Sequence, residues 1–184
     1  MTITFPIITL GDGEVADPQW FSDITDTAND HETRLNTLEQ QQIQLVYKSS
    51  DETINNSATL QNDNDLFTSA EPDSFYDFRL WLIINSGTTP NWKMDWTVPT
   101  GAALTWSIQE GVPANLFAVL RGPYIAGASA AINGAGADQI VIVEGLLTTA
   151  STGGVLQLRW AQNTANASNT SVKTGSRLRL WKLV

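Results

Sequence analysis

The sequence predicts a mainly β protein: a jelly-roll-type β-sandwich head preceded by an extended N-terminal arm and a short trimeric coiled-coil helix. After residue 46, segments in which apolar and polar residues alternate are separated by turns rich in glycine and proline. Before residue 47, apolar residues recur at steps of three and four, which is the period of a coiled coil. Hydrophobic residues make up 42% of the 184 positions, enough to bury the core of one domain.

The first predicted element, residues 1–16, is a short extended arm. Its apolar residues have β-branched neighbours, a proline among them blocks helix formation, and a Gly-Asp-Gly turn follows. So short a segment cannot bury an apolar face alone. It must pack on its own domain, on a sister chain or on a partner, and we expect it to anchor the protein to a partner through Phe5, Pro6, Ile7 and Ile8.

Residues 17–46 are predicted to form the coiled-coil helix. Asp17 is a suitable N-cap, and Pro18 fits the first helical position, where its missing N–H costs nothing. The alternative is an amphipathic helix that packs on its own domain. A narrow stripe at heptad spacing favours contact between chains, and it consists of Ile24, Ala28, His31, Leu35, Leu38, Gln42 and Leu45.

Residues 34–39, Arg-Leu-Asn-Thr-Leu-Glu, suggest the oligomeric state. They resemble a short motif of trimeric coiled coils, in which an arginine and a glutamate flank two apolar seam residues. The resemblance implies that the stem of Arg34 covers the seam while its guanidinium pairs with Glu39 of a neighbouring chain. His31 is expected to be a hydrated seam residue near the threefold axis, and an ion or water held by three histidines is the alternative.

Residues 47–184 are predicted to form the head. Residues 75–84 carry apolar side chains on both faces, which is typical of a central strand. Residues 122–137 are rich in glycine and alanine, and we expect a surface loop or a closely packed strand pair, with a loop that contacts a receptor or another subunit as the alternative. Five tryptophans inside strand patterns are expected in the core or a subunit interface: Trp81, Trp96, Trp106, Trp160 and Trp181.

Composition leaves little catalytic or metal chemistry. There is no cysteine and one histidine, which argues against thiolate sites, histidine triads and multi-histidine metal sites. The carboxylates of the β region show no pairing, so we assign no catalytic residue, metal or cofactor and do not expect an enzyme. Residues 62–65 lack the spacing of a calcium loop and are expected to be a solvated turn. Trp20 and Trp92 lie near turns, and they are the candidates for stacking on a host glycan.

Charge is divided unevenly along the chain. Residues 1–77 hold fifteen acidic and two basic residues, a net charge of −13, whereas residues 78–184 carry a net charge of +4. A total of −9 argues against nucleic acid as a partner, because phosphate binding needs a basic face. No apolar run is long enough to cross a membrane, and no secretory signal is recognisable at the start of the sequence.

A wider resemblance covers most of the chain. Its order of arm, heptad helix and β region is similar to that of small trimeric virion proteins of tailed bacteriophages, especially those of actinobacterial hosts. The motifs that carry the resemblance are Asp12-Gly13-Glu14, Leu158-Arg159-Trp160-Ala161-Gln162 and Gly175-Ser176. Members of this group are head-decoration, head-fibre or minor tail proteins.

The resemblance implies a homotrimer on the virion exterior, made in the host cytoplasm, with jelly-roll heads on a stalk. Its arm would bind the major capsid protein or another virion protein. We expect a capsid decoration or head fibre, since the predicted helix is too short for a long shaft. A tail fibre or receptor-binding tip, that is, a minor tail protein that binds host cell-wall glycan, is the alternative.

Overall fold

A computed structural model describes residues 18–40, 43–110 and 119–183. Side chains are described for residues 22–35, 43–110 and 120–183. The chain divides into two compact units, Met1–Gln40 and Gln41–Val184.

The first unit contains helix α1, Pro18–Gln40, so the helix begins where the proline signal predicts. It ends six residues before the predicted boundary at residue 46, because residues 43–47 form a strand. This Ile-Gln-Leu-Val-Tyr segment is rich in β-branched and aromatic residues, and its exposure alternates with the period of two of a strand. The assignment of Leu45 to a helical seam is therefore wrong: it pairs with Arg179 in a sheet.

The second unit is built from β-strands that lie in two antiparallel sheets. In the described residues the strands are β1 (Ile43–Tyr47), β2 (Glu52–Ile54), β3 (Gln61–Ala70), β4 (Phe75–Ser86), β5 (Trp92–Thr97), β6 (Ala103–Glu110), β7 (Val119–Ile125), β8 (Ala130–Ile132), β9 (Asp138–Thr148), β10 (Gly154–Gln162), β11 (Thr170–Val172) and β12 (Arg177–Leu183). The larger sheet has the order β1-β12-β4-β9-β6-β7, with β11 pairing β2 and β4. The smaller sheet has the order β3-β10-β5-β8.

The two sheets pack face to face over one hydrophobic core, to which both contribute buried residues. Phe78 on β4 and Trp96 on β5 meet across the sheets, with ring centroids 4.9 Å apart in an edge-to-face arrangement. Trp92 and Trp160 stack within the smaller sheet at 6.4 Å. The prediction of a mainly β protein with a sandwich of two antiparallel sheets is confirmed.

Strand β4 runs through the middle of the larger sheet, as its two apolar faces predict. It pairs with β12 on one side and with β9 on the other. Gly145 on β9 allows the core to close here. A Cβ at Gly145 would lie 2.3 Å from the carbonyl oxygen of Thr105 and 2.6 Å from Cε1 of Phe78, so no larger residue fits without a shift.

The glycine- and alanine-rich segment 122–137 supplies the end of β7 and the whole of β8. Ala130 and Ile132 on β8 are buried, and this strand closes one edge of the smaller sheet by pairing with β5. The segment is therefore only partly a surface loop. Its small side chains belong in part to the core.

Candidate assembly surfaces

The apolar stripe of α1 is the first candidate surface. All side chains described in this helix, residues 22–35, are exposed. Ile24 is 39% and Leu35 60% exposed, and both belong to the predicted heptad together with the exposed Ala28 and His31. Because most of the stability of a helix in a protein comes from packing of its apolar face, an exposed apolar stripe of this kind is a candidate contact surface.

Arg34 already has an acidic neighbour on its own helix. Its Nη1 lies 4.0 Å from Oδ2 of Asp30, one turn earlier, and both side chains are largely exposed. Such exposed pairs contribute only about 0.3–0.5 kcal/mol. Arg34 would therefore lose little free energy if it left Asp30 and paired with Glu39 of a neighbouring chain. The side chains of Leu38 and Glu39 lie outside the described residues.

Two further predictions concern residues that the structure does not describe. The anchoring residues Phe5, Pro6, Ile7 and Ile8 are in the segment before residue 18, which is not described. Trp20 is part of α1, but its side chain is not described. The anchoring arm and the glycan contact at Trp20 therefore stay predictions.

The glycan-contact assignment of Trp92 is wrong. Trp92 is fully buried and stacks on Trp160, so no face of its indole is open to a sugar. Its strand β5 lies between β10 and β8, a position that the nearby turn in the sequence does not reveal. Three of the five tryptophans predicted for the core or an interface, Trp96, Trp106 and Trp160, are in the core.

A buried ion cluster surrounds Lys48, which follows β1. Its Nζ lies 2.7 Å from Oε2 of Glu52 and 2.9 Å from Oδ1 of Asp63, and the side chains of Lys48 and Asp63 are almost completely buried. Asp63 also accepts a 3.1 Å hydrogen bond from the indole N–H of Trp160. The cluster ties the segment between β1 and β2 to β3 and β10, that is, the larger sheet to the smaller one.

The charges of this cluster are matched within the chain. Burial lowers the pKa of Lys48, but hydrogen bonds from its ammonium to Glu52 and Asp63 outweigh burial and raise that pKa above its ordinary value. The prediction that residues 62–65 are a solvated turn is wrong, since Asp63 is buried in β3. A lysine ammonium occupies the place that a bound cation would take, so the cluster is structural. No group suited to a metal ion occurs in the described part of the chain.

The second candidate surface is the side of the larger sheet that points away from the core, called here the outer face. Antiparallel sheets that face water normally carry polar residues on that side. This face instead carries ten large hydrophobic side chains that are each at least 37% exposed: Ile43, Leu45, Tyr47, Phe75, Leu120, Ile125, Ile140, Leu146, Trp181 and Leu183. The outer side of the smaller sheet exposes two such residues among those described, Phe67 and Val155.

Charged residues occupy the middle of the outer face. Arg79 lies with its Nε 2.9 Å from Oε1 of Glu144 on β9. The guanidinium carbons of Arg79 and Arg177 lie 4.6 and 4.7 Å from the ring centroid of Trp81, and that of Arg179 lies at 5.8 Å. These cation–π contacts cover Trp81, so its ring is not a free platform for a ligand.

The outer face also contains an open depression of about 350 Å³ between β6, β7 and β9. Leu120, Pro123 and Leu146 are among its apolar lining residues, and Glu144 also lines it. It is open and shallow, which suits an apolar side chain of a protein partner better than an enclosed small molecule. Sequence analysis did not identify this face, although the continuous apolar run at residues 140–143 is a signal of it.

Comparisons with known proteins do not assign the chain to a family. No protein-family model matches it, and no curated protein matches it. The similar solved structures include an infectious bursal disease virus VP2 subviral particle, with a TM-score of 0.19, 9% identity, and coverage of 78% of this chain and 42% of that chain. Another is the structure of infectious bursal disease virus Gx strain, with a TM-score of 0.17, 8% identity and the same coverages.

The chain thus spans less than half the length of those viral chains. TM-scores this low carry no argument about fold or function. Among the described residues, no helix is long and apolar enough to cross a membrane.

Proposed function

We propose that the protein is a homotrimeric structural component of the exterior of a bacteriophage particle. In this proposal, α1 trimerises through Ile24, Ala28, His31, Leu35 and Leu38, and Arg34 pairs with Glu39 of the next chain. The arm, through Phe5, Pro6, Ile7 and Ile8, binds the major capsid protein or another virion protein. The head covers the shell or faces the host.

The observation that carries the proposal is the exposed heptad stripe of α1. Ile24 and Leu35 lie on it with 39% and 60% of their surface open to water. Two neighbouring helices would cover such a narrow stripe, whereas a helix packed on its own domain normally presents a wider apolar face. The resemblance of residues 34–39 to the trimer motif supports three chains rather than two.

The strand order supports a jelly-roll head. Strands β3 to β10 form four nested antiparallel pairs: β3 with β10, β4 with β9, β5 with β8, and β6 with β7. The chain changes sheet at every step along this series except between β6 and β7. A long hairpin rolled into two four-stranded sheets has this arrangement. Strands β1 and β12 then extend one of those sheets beyond β4.

The physical logic of a trimer with three arms is avidity. Three weak contacts on one rigid particle bind a repeating surface far more tightly than a single arm does. A capsid decoration or head fibre needs only an arm, a trimer and a head, and we favour it on that ground. The alternative is a tail fibre or receptor-binding tip that binds host cell-wall glycan. It is favoured by Trp181, which is 38% exposed.

Attachment to particles of the encoding phage tests the arm. Full-length protein with Phe5→Asp and Ile7→Asp should remain a folded trimer but no longer sediment with particles that lack the wild-type protein. A control with Thr2→Ser and Thr4→Ser should bind like the wild type. Attachment by the Asp variant at wild-type affinity would refute the anchoring role. Quenching of tryptophan fluorescence by host glycan, together with absence of particle binding, would favour the receptor-binding alternative.

A further inference from the structure

The outer face has more exposed hydrophobic side chains than is usual for a solvent-exposed sheet surface. It exposes ten large hydrophobic side chains in one sheet, whereas the smaller sheet exposes two among the described residues. So many exposed hydrophobic side chains on one face of a sheet, placed around a charged centre, mark an interaction site in soluble proteins. The pairing of β4 with β12 and of β9 with β4 and β6 is regular, so the apolar residues of β4, β9 and β12 do not result from an irregular register.

The size of the outer face matches a stable protein interface. Six strands spaced by about 4.8 Å give a width of about 24 Å, and the eight steps from Phe75 to Ile83 along β4 give about 27 Å. The projected area is therefore about 650 Å², within the range of about 600–1,000 Å² that each partner contributes to a standard interface.

The charges on the outer face are complementary to those of another copy of the same face. Arg79 is paired with Glu144. Among the described residues, neither Arg177 nor Arg179 has a carboxylate within ion-pair distance, and Asp77 on the same face has no cation. A purely acidic partner would leave Asp77 against like charge. A second copy instead supplies a carboxylate for the arginines and an arginine for Asp77.

We propose that the outer face is the contact between heads: it packs against the outer faces of the other copies of this chain. The inference deepens the proposed homotrimer and rests on it. The apolar side chains around the charged centre exclude water from it, and Asp77 of one copy pairs there with Arg177 or Arg179 of the next. The depression beside Leu120 and Leu146 receives an apolar side chain of the neighbouring head.

Matched charge substitutions in the full chain test the contact. Leu146 is 58% exposed on the outer face, and Phe67 is 44% exposed on the smaller sheet, so Leu146→Asp and Phe67→Asp are comparable changes in one chain. Leu146→Asp should weaken trimer association by about 100-fold, because it places an unpaired carboxylate in an apolar contact. Phe67→Asp should associate like the wild type. Equal association of both variants would overturn the inference.

Thiol labelling provides a measurement that does not disturb folding. The chain has no cysteine, so Leu146→Cys and Phe67→Cys each introduce a single thiol. In the trimer, maleimide should label the Leu146→Cys protein at least about 10-fold more slowly than the Phe67→Cys protein, and dilution to monomers should abolish the difference. Equal labelling rates of the two thiols in a wild-type-like trimer would overturn the contact between heads but not the homotrimer. Protection that persists in a monomer would show that the chain covers its own face, and would also overturn it.

The mass of the wild-type protein separates the two proposals. A monomer at micromolar concentration would contradict the homotrimer itself, and the head contact with it. A trimer with a freely reactive Leu146→Cys thiol would leave the proposed function standing and refute only the head contact.

Discussion

Replacing Lys48 with methionine removes the cation that lies among Glu52, Asp63 and Asp65 while keeping most of the side-chain volume. The Nζ of Lys48 is 2.7 Å from Glu52 and 2.9 Å from Asp63, and the lysine and Asp63 side chains are 1% and 0% exposed. The variant therefore leaves a buried carboxylate without its counter-charge. We expect a large loss in the free energy of unfolding.

The magnitude follows from the geometry. At about 3 Å and an effective dielectric constant of about 20, the attraction between two unit charges is about 5.5 kcal/mol. Loss of one partner of a buried pair costs about 3–5 kcal/mol. Asp63 keeps hydrogen bonds from the backbone N–H of Leu66 and from the Trp160 indole, so we expect the lower end, about 3 kcal/mol.

Urea unfolding followed by tryptophan fluorescence measures this loss at a fixed protein concentration. With a slope of about 2 kcal/mol per molar, the midpoint of Lys48→Met should fall by about 1.5 M. Lys173→Met is the matched control, because its pair with Asp51 is solvent-exposed, and its midpoint should change little. Adding Asp63→Asn to Lys48→Met should recover part of the loss. A midpoint for Lys48→Met equal to that of the control would refute the structural role of the cluster.

Three other predictions concern the core, the pH response and the helix. Gly145→Ala should lower the free energy of unfolding by about 1–3 kcal/mol in urea, because its methyl group would overlap the carbonyl of Thr105; unchanged stability would contradict the close approach. The raised pKa of Lys48 means that its contribution to stability is complete below its ordinary value of 10.5 and is lost as pH rises through the higher folded value. Thermal unfolding should therefore show the loss of the Lys48 contribution only at strongly alkaline pH. A loss of that contribution already at neutral pH would contradict the raised pKa of Lys48. Leu35→Asp with Leu38→Asp should weaken association at least about 100-fold by crowding carboxylates at one axis, measured by sedimentation equilibrium; a full trimer at micromolar concentration would contradict the helical seam.

The strands with a clear local pattern could be predicted, because that pattern does not depend on their partners. Alternating apolar residues in β4, β5, β6, β10 and β12 give a period of two that can be recognised without knowledge of the partner strands. The helix boundary at residue 46 failed for a related reason. Leu45 lies seven residues after Leu38 and so continues the heptad by coincidence. Ile43, Val46 and Tyr47 have high β propensity, and their segment forms a strand because it pairs with β12.

The sites depend on contacts between distant residues, which sequence patterns do not contain. Lys48 and Asp63 are fifteen positions apart and meet only because β1 and β3 lie in facing sheets. In the sequence, Trp92 lies beside a predicted turn. Its burial depends in part on β8, which pairs with β5 and is distant in the sequence. The outer face is likewise invisible in any single strand, since its residues come from β1, β4, β7, β9 and β12 and become neighbours only in the completed sheet.

The mass in solution tests the central claim most directly. Size-exclusion chromatography with light scattering at low micromolar concentration should give about 60 kDa, three chains of 20.0 kDa each. That result would support the seam of α1 and the contact between heads as parts of one assembly. A mass near 20 kDa would contradict the trimer, and with it both surfaces on which the account of virion assembly depends.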